Sequence, residues 1–230
     1  MKFDTPLIHG RLIKRYKRFL SDILLDNGEI VVAHCTNSGS MKTCLEENAE
    51  VYLSPAKDPK RKTRYTWEMI KINNQWVGIN TLHPNQIAFE AIKNNEIPEL
   101  SNYDHVQREV KVGNSRIDIM AQSKDETCFI EVKNVTMKVD NNALFPDAVT
   151  TRGKKHLNEL IQLKKEGLRT VMLYIIQRMD VESFGPAEAI DPEYAQTLRL
   201  AYEKGVEIIP LQVRVSPTEI RIEKKLPFHL

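Results

Sequence analysis

The sequence predicts two domains of different class, a small all-β barrel followed by an α/β domain with a mixed sheet. Three observations carry this. Up to about residue 82, short strand-like runs are punctuated by paired turn residues. From residue 105 the period changes, and strand runs alternate with helical stretches. Charge changes there as well: residues 1–80 carry 13 Lys and Arg against 9 Asp and Glu, whereas residues 81–230 carry 20 against 22. A basic module on a mildly acidic remainder is expected to face a polyanion.

In the first domain (1–82), runs 19–26 and 29–35 flank Asn27-Gly28, a hairpin signal. Runs 65–72 and 75–79 flank Asn73-Asn74 in the same way. Short strands over about 75 residues suit an OB-like barrel, with an SH3-like barrel equally compatible. His83-Pro84-Asn85 ends the β region. Asn85 is expected to cap a short helix over 86–94, and 83–104 forms a connector to the second domain (83–230). Strands are expected at 106–112, 116–121 and 127–135, then a helix over 151–166 stopped by Gly167. The apolar run in 169–177 reads as a central strand. Asp191-Pro192 opens a second helix ending before Gly205, and 206–215 with 219–222 complete the sheet.

With 41% apolar and 28% charged residues, the chain is globular rather than disordered. Three cysteines without CxxC spacing exclude a disulfide framework or zinc knuckle and suit a reducing compartment. Charged residues near the start exclude a signal peptide, and no apolar run is long enough to cross a bilayer, so a cytoplasmic protein without membrane contact is expected. The oligomeric state is open, a homodimer included.

The segment Arg116–Lys133 carries the chemistry. If Lys124-Asp125 form a two-residue hairpin loop, residue 118 opposes 131 and 116 opposes 133. Asp118, Glu131 and Lys133 then share one face, and Ile117, Ile119, Ile130 and Val132 share the other. Opposed carboxylates repel, and a divalent cation such as Mg²⁺ or Mn²⁺ would compensate, with water and phosphate completing its shell. Lys133 would then stabilise the transition state or orient the attacking water. Glu109, nine residues before Asp118, is a candidate third oxygen ligand. The alternative is a solvated charged face in which Lys133 pairs with the acids.

Two further regions bear positive charge suited to phosphate. The helix at 151 opens on Arg152, Lys154 and Lys155, where acidic residues are usual. It sets Arg152 and His156 on one face, with His156 in a supporting role. In the first domain Arg11, Lys14, Arg15, Lys17 and Arg18 form one cluster. Lys60, Arg61, Lys62 and Arg64, with Lys57, form another that runs into Tyr65 and Trp67. Basic residues interleaved with aromatics suggest phosphate contact plus base stacking.

These residues together resemble the sugar fermentation stimulation protein A (SfsA) family. The matching segments are Arg18-Phe-Leu, Asn37-Ser-Gly-Ser-Met, Ser115-Arg-Ile-Asp118 and Glu131-Val-Lys-Asn-Val-Thr136. Phe145-Pro-Asp-Ala-Val-Thr-Thr-Arg-Gly-Lys-Lys-His156, Phe184-Gly-Pro-Ala187 and Ile190-Asp-Pro-Glu-Tyr-Ala195 continue the match. Thr36 and Ser38 stand where the family usually has Pro and Thr. The resemblance implies an OB-like first domain and a second similar to PD-(D/E)xK nucleases. It also implies DNA binding of low sequence specificity, double- or single-stranded, and a regulatory role in sugar (maltose) catabolism. The nuclease-like pattern falls on Asp118, Glu131 and Lys133, with Glu109 an additional acid. Three functions are compatible with this reading: a DNA-binding protein with a metal site, an active metal-dependent DNA or RNA nuclease, and a regulator whose charged face only solubilises it.

Overall fold

The computed structural model describes residues 1–58, 60–113 and 115–230. Its first half is a closed barrel of β1 (Ile8–Tyr16), β2 (Leu20–Leu25), β3 (Ile30–His34), β4 (Glu50–Pro55) and β5 (Tyr65–Ile72), with β6 (Gln75–Gly78) added at β5. The strands run in the order β3-β2-β1-β4-β5, and a short parallel pairing of Ala33 with Tyr65 and His34 with Thr66 closes the ring. Of the two barrels that the turn signals allow, OB-like and SH3-like, this strand order and closure are those of the OB-like one. At the β5–β6 turn both Asn73 (φ 49°) and Asn74 (φ 59°) are left-handed, the conformation a two-residue hairpin turn demands. The interior holds Leu12, Ile23, Leu53, Ile70 and a fully buried Trp67.

The second half is a six-stranded mixed sheet between helices. It comprises β7 (His105–Val112), β8 (Ser115–Gln122), β9 (Thr127–Val135), β12 (Arg169–Ile176), β14 (Glu207–Val215) and β15 (Ile220–Lys225), in the order β15-β14-β12-β9-β8-β7. Strands β9, β12 and β14 are parallel, and the antiparallel hairpins lie at the two edges. Helix α1 (His83–Lys93) packs Ile87, Ala88, Ala91 and Ile92 on one face. Helices α2 (Thr151–Lys165) and α3 (Pro192–Glu203) cover the other with Leu157, Leu160, Tyr194 and Leu198. A small sheet of β10 (Met137–Val139), β11 (Asn142–Phe145) and β13 (Ser183–Pro186), absent from the sequence reading, flanks the end of β9.

Helix starts follow the capping chemistry at α2 and α3. Thr150 accepts from Gly153 N at 3.0 Å, and Asp191 accepts from Tyr194 N at 2.9 Å. A second oxygen of Asp191 accepts from Thr150 N at 2.8 Å, so one buried aspartate ties both helix starts together. At α1 the expectation fails. The helix begins at His83, Pro84 lies in its first turn, and Asn85 is helical rather than a cap.

The barrel seats on the carboxyl end of the parallel strands. Gly78 N donates to the Gln177 carbonyl at 2.9 Å, and a Cβ at Gly78 would lie 2.3 Å from Gln177 Oε1, so a larger residue there would displace the Gln177 side chain. Buried Arg178 reaches Thr136 O at 2.7 Å and Thr43 O at 3.3 Å, linking the same two halves. No helix among the described residues is long and apolar enough to cross a membrane.

Candidate metal centre and nucleic-acid interface

The β8–β9 hairpin turns as the sequence implies. Ser123 N donates to Glu126 O at 2.9 Å around Lys124-Asp125, and Ile119 opposes Ile130. Extending that register sets Asp118 against Glu131. The strands part there. Asp118 Oδ2 takes the Val132 N–H at 2.9 Å in place of a ladder carbonyl, while Oδ1 accepts from Asn85 Nδ2 at 2.8 Å. Across β7–β8, the residue opposite Asp118 is Glu109, which is left-handed (φ 55°). A non-glycine residue in that region bends its strand.

Two expectations are corrected by this kink. Ile117 packs with Phe129 and Leu157 on the α2–α3 side, whereas Ile119, Ile130 and Val132 pack on the α1 side, so the four do not share one face. Glu109 does not join the carboxylates. Its side chain is exposed and pairs with Arg116 Nη1 at 3.1 Å. Among the described residues, no group of three or more His, Cys, Asp or Glu side chains is arranged to hold a metal. The site has two carboxylates, a number compatible with a Mg²⁺-type site completed by solvent and phosphate.

Glu131 and Lys133 stand on the face of β9 turned to α2. Glu131 is 1% exposed, and its Oε1 accepts from Lys133 Nζ at 2.6 Å and from His156 Nδ1. Lys133 Nζ is 3.1 Å from that same ring nitrogen. Arg152, one turn earlier on α2, donates from Nε to His156 Nε2 at 3.3 Å, which leaves the ring proton on Nδ1, facing Glu131. Glu131 Oε2 is buried with no hydrogen-bond partner. An ionised oxygen sealed from water without a donor is costly, and a cation would satisfy it. The donor set therefore fits a divalent metal.

The two carboxylates differ electrostatically. Burial, then repulsion from Glu131, raises the pKa of Asp118 above its ordinary value, against the Val132 amide and Lys133. Burial also opposes ionisation of Glu131, but the His156 hydrogen bond and the charge of Lys133 outweigh it and hold its pKa below normal. Lys133 favours ionisation of both acids, but for Asp118 burial and the charge of Glu131 prevail, whereas for Glu131 burial does not.

Several of the basic residues are committed to partners within the protein. Arg15 donates to the carbonyls of Arg18, Asn37 and Gly39 at 3.0, 2.7 and 3.0 Å, pinning the β1–β2 turn to the turn after β3. Arg11 binds Asn48 O, and Lys14 lies 3.5 Å from Asp22. Arg61 closes its own loop through Thr63 O, Tyr65 O and Thr66 Oγ1. Lys154 pairs with Glu193, and Lys155 with Glu159 at 3.6 Å. Lys17, Arg18, Lys60, Lys62, Arg64 and Arg152 are exposed. Trp67 is 0% exposed with Nε1 bonded to Met69 O, so it cannot stack on a base; a strand alternating around a closed barrel turns it inward. Lys57, Asp58 and Arg61 border a cleft with Phe3, Glu68 and His83 that does not include Lys17 or Arg18.

Asn85 and the Val132 amide, which hold Asp118, escaped the sequence reading. The signal for Asn85 was Pro84, whose place in a first helical turn puts Asn85 inside the helix.

Two family models divide the chain between them: "SfsA N-terminal OB domain" matches residues 13–79, and "Sugar fermentation stimulation protein RE domain" matches 82–219. The chain belongs to the sugar fermentation stimulation protein family. A family homologue from Geotalea daltonii is 50% identical over 228 residues, covering 99% of each chain. Another from Pelobacter propionicus is 49% identical over 223 residues, covering 96% of this chain and 97% of its own. Among solved structures, Pyrococcus furiosus SfsA in complex with Ca²⁺ superposes with a TM-score of 0.90 at 27% identity, covering 100% of this chain and 98% of that one. The family fold thus extends over both domains.

Proposed function

We propose that this chain is a cytoplasmic DNA-binding protein of low sequence specificity whose Asp118 and Glu131 hold a divalent cation, Mg²⁺ or Mn²⁺, against a phosphodiester. The observation that carries this is the buried, partnerless Oε2 of Glu131 beside Asp118, Lys133 and His156. The Ca²⁺ complex of the Pyrococcus furiosus relative supports a divalent ion in this fold. Three free, buried cysteines suit a reducing compartment. The family's name supports a regulatory link to sugar catabolism.

The division of labour follows from the contacts. Asp118 and Glu131 are the oxygen ligands of the cation, whose chemistry is to polarise a phosphoryl oxygen and acidify a bound water. Lys133, held by Glu131, presents an ammonium to the negative charge of the phosphate. His156 orients Glu131 and is itself fixed by Arg152. Lys17 and Arg18 on the barrel, and Arg152 at the start of α2, supply phosphate contacts. The placement of Lys133 within this cluster favours a second reading, hydrolysis of the bound phosphodiester.

Both readings are tested by DNA affinity against salt, then by incubating supercoiled plasmid with wild type or Asp118→Ala in Mg²⁺, Mn²⁺ or EDTA. Affinity falling steeply with salt supports binding. Metal-dependent nicking lost in the variant supports hydrolysis. Affinity indifferent to salt removes the DNA reading.

A further inference from the structure

Asp191 is 2% exposed, and its two oxygens serve two different helices. Oδ1 accepts from Tyr194 N at 2.9 Å and caps α3, while Oδ2 accepts from Thr150 N at 2.8 Å at the start of α2. Capping alone does not call for this arrangement. Thr150 already caps α2 through Gly153 N at 3.0 Å, and an asparagine or serine would cap α3. Only a carboxylate offers two acceptor oxygens, and the positive ends of both helix dipoles favour its charge.

The two helices it joins lead to the carboxylate site by separate routes. Gly153 lets α2 lie tight against α3: a Cβ there would come within 3.0 Å of Tyr194 Cε2 and 2.7 Å of Thr150 Cγ2. Three residues further along α2, His156 reaches Glu131 Oε1, with Arg152 behind it. On the other route Tyr194 is fully buried, and its hydroxyl meets that of Tyr174 at 2.5 Å. Tyr174 lies on β12 directly opposite Lys133 of β9. A side chain that orients a metal ligand tolerates displacements of only about 0.5 Å, so the seating of α2 on α3 decides how His156 meets Glu131.

We propose that Asp191 is a positioning residue of the cation site: by fixing the start of α2 against α3 it sets His156 against Glu131, and so sets the affinity for the ion. The inference rests on the metal reading above and goes beyond it to a residue on neither carboxylate strand. The hydrogen bonds of Asp191 go to the amides of Thr150 and Tyr194 and to no side chain of the site. Its influence on the ion therefore passes through His156, and removing His156 removes that influence.

The test is calorimetric titration of Mn²⁺ into the full-length wild type, Asp191→Asn, His156→Ala and the double variant, with urea unfolding of each. Asp191→Asn keeps the shape of the side chain and one acceptor oxygen, and so releases one helix start. It should weaken Mn²⁺ binding about tenfold in the wild-type background. In the His156→Ala background it should weaken binding no further, although its loss of stability should persist there. Gly153→Ala leaves Asp191 intact but forces α2 away from Tyr194, and should weaken Mn²⁺ binding in the same dependent way. Should Asp191→Asn not fold, Gly153→Ala decides in its place, alone and combined with His156→Ala. Unchanged affinity in the deciding variant, or an equal loss with and without His156, would overturn this inference alone. No Mn²⁺ bound by wild type would overturn the metal reading together with it.

Discussion

The molecule contains two buried glutamate–histidine pairs, and they are built to different ends. Glu68, on barrel strand β5, is 4% exposed and fully provided for: Ser54 donates to one oxygen, and Asn80 (2.8 Å) and His83 (2.6 Å) share the other. Glu131, on β9, is buried as deeply, yet Lys133 and His156 both address Oε1, and Oε2 has no partner. In both, burial opposes ionisation and the histidine hydrogen bond leads the groups that overcome it, holding the pKa below normal. The difference lies in completion. A satisfied buried carboxylate ties elements together, here the barrel to the first turn of α1, whereas an incomplete one is where the proposed cation would bind.

Substitution at the complete pair should have the larger effect on folding. Glu68→Ala leaves His83, Asn80 and Ser54 without their acceptor, and the expected loss is about 3–5 kcal/mol in urea unfolding, with Mn²⁺ affinity retained by the folded fraction. A smaller loss, or a loss of metal affinity alone, would remove the contrast between the pairs. His156→Ala should act the other way, weakening Mn²⁺ binding about tenfold or more because Glu131 loses its orienting partner. Calorimetric titration of Mn²⁺ checks this. Asn85→Ala removes one neutral donor from Asp118 and should cost about 1 kcal/mol of stability, seen as a small fall in Tm.

Acid titration sharpens the comparison further. Because the folded pKa of Glu68 lies below the ordinary 4.5, its contribution is fully present above that value and fades as pH falls through the folded pKa. Asp118 has the opposite sign, since burial and then repulsion from Glu131 raise its pKa, and protonation relieves both. Wild type should therefore lose stability on acidification below about pH 4.5, and Glu68→Gln should show a flatter profile in that window. Identical profiles would place the acid-sensitive group elsewhere.

Much of this architecture was legible because local signals and global fold agree. The Lys124-Asp125 loop was enough to set the hairpin register as far as Ile119 opposite Ile130, and Thr150 and Asp191 announced two helices by their capping chemistry. What escaped depended on contacts distant in sequence. Nothing in Glu109 itself signals a left-handed backbone, so the kink that sends Glu109 outward and Ile117 to the other face was hidden. Arg15 reads as a phosphate ligand until the three carbonyls it serves are brought together by the fold. Trp67 reads as a stacking platform until the barrel closes around it.

The proposed cation would bind at the partnerless oxygen of Glu131. Calorimetric titration of Mn²⁺ into wild type, Glu131→Gln and Glu68→Gln tests it directly. One ion should bind wild type and Glu68→Gln with similar affinity, and Glu131→Gln should bind at least tenfold more weakly. Equal affinity in all three proteins, or loss in Glu68→Gln alone, would show that Glu131 does not hold the ion.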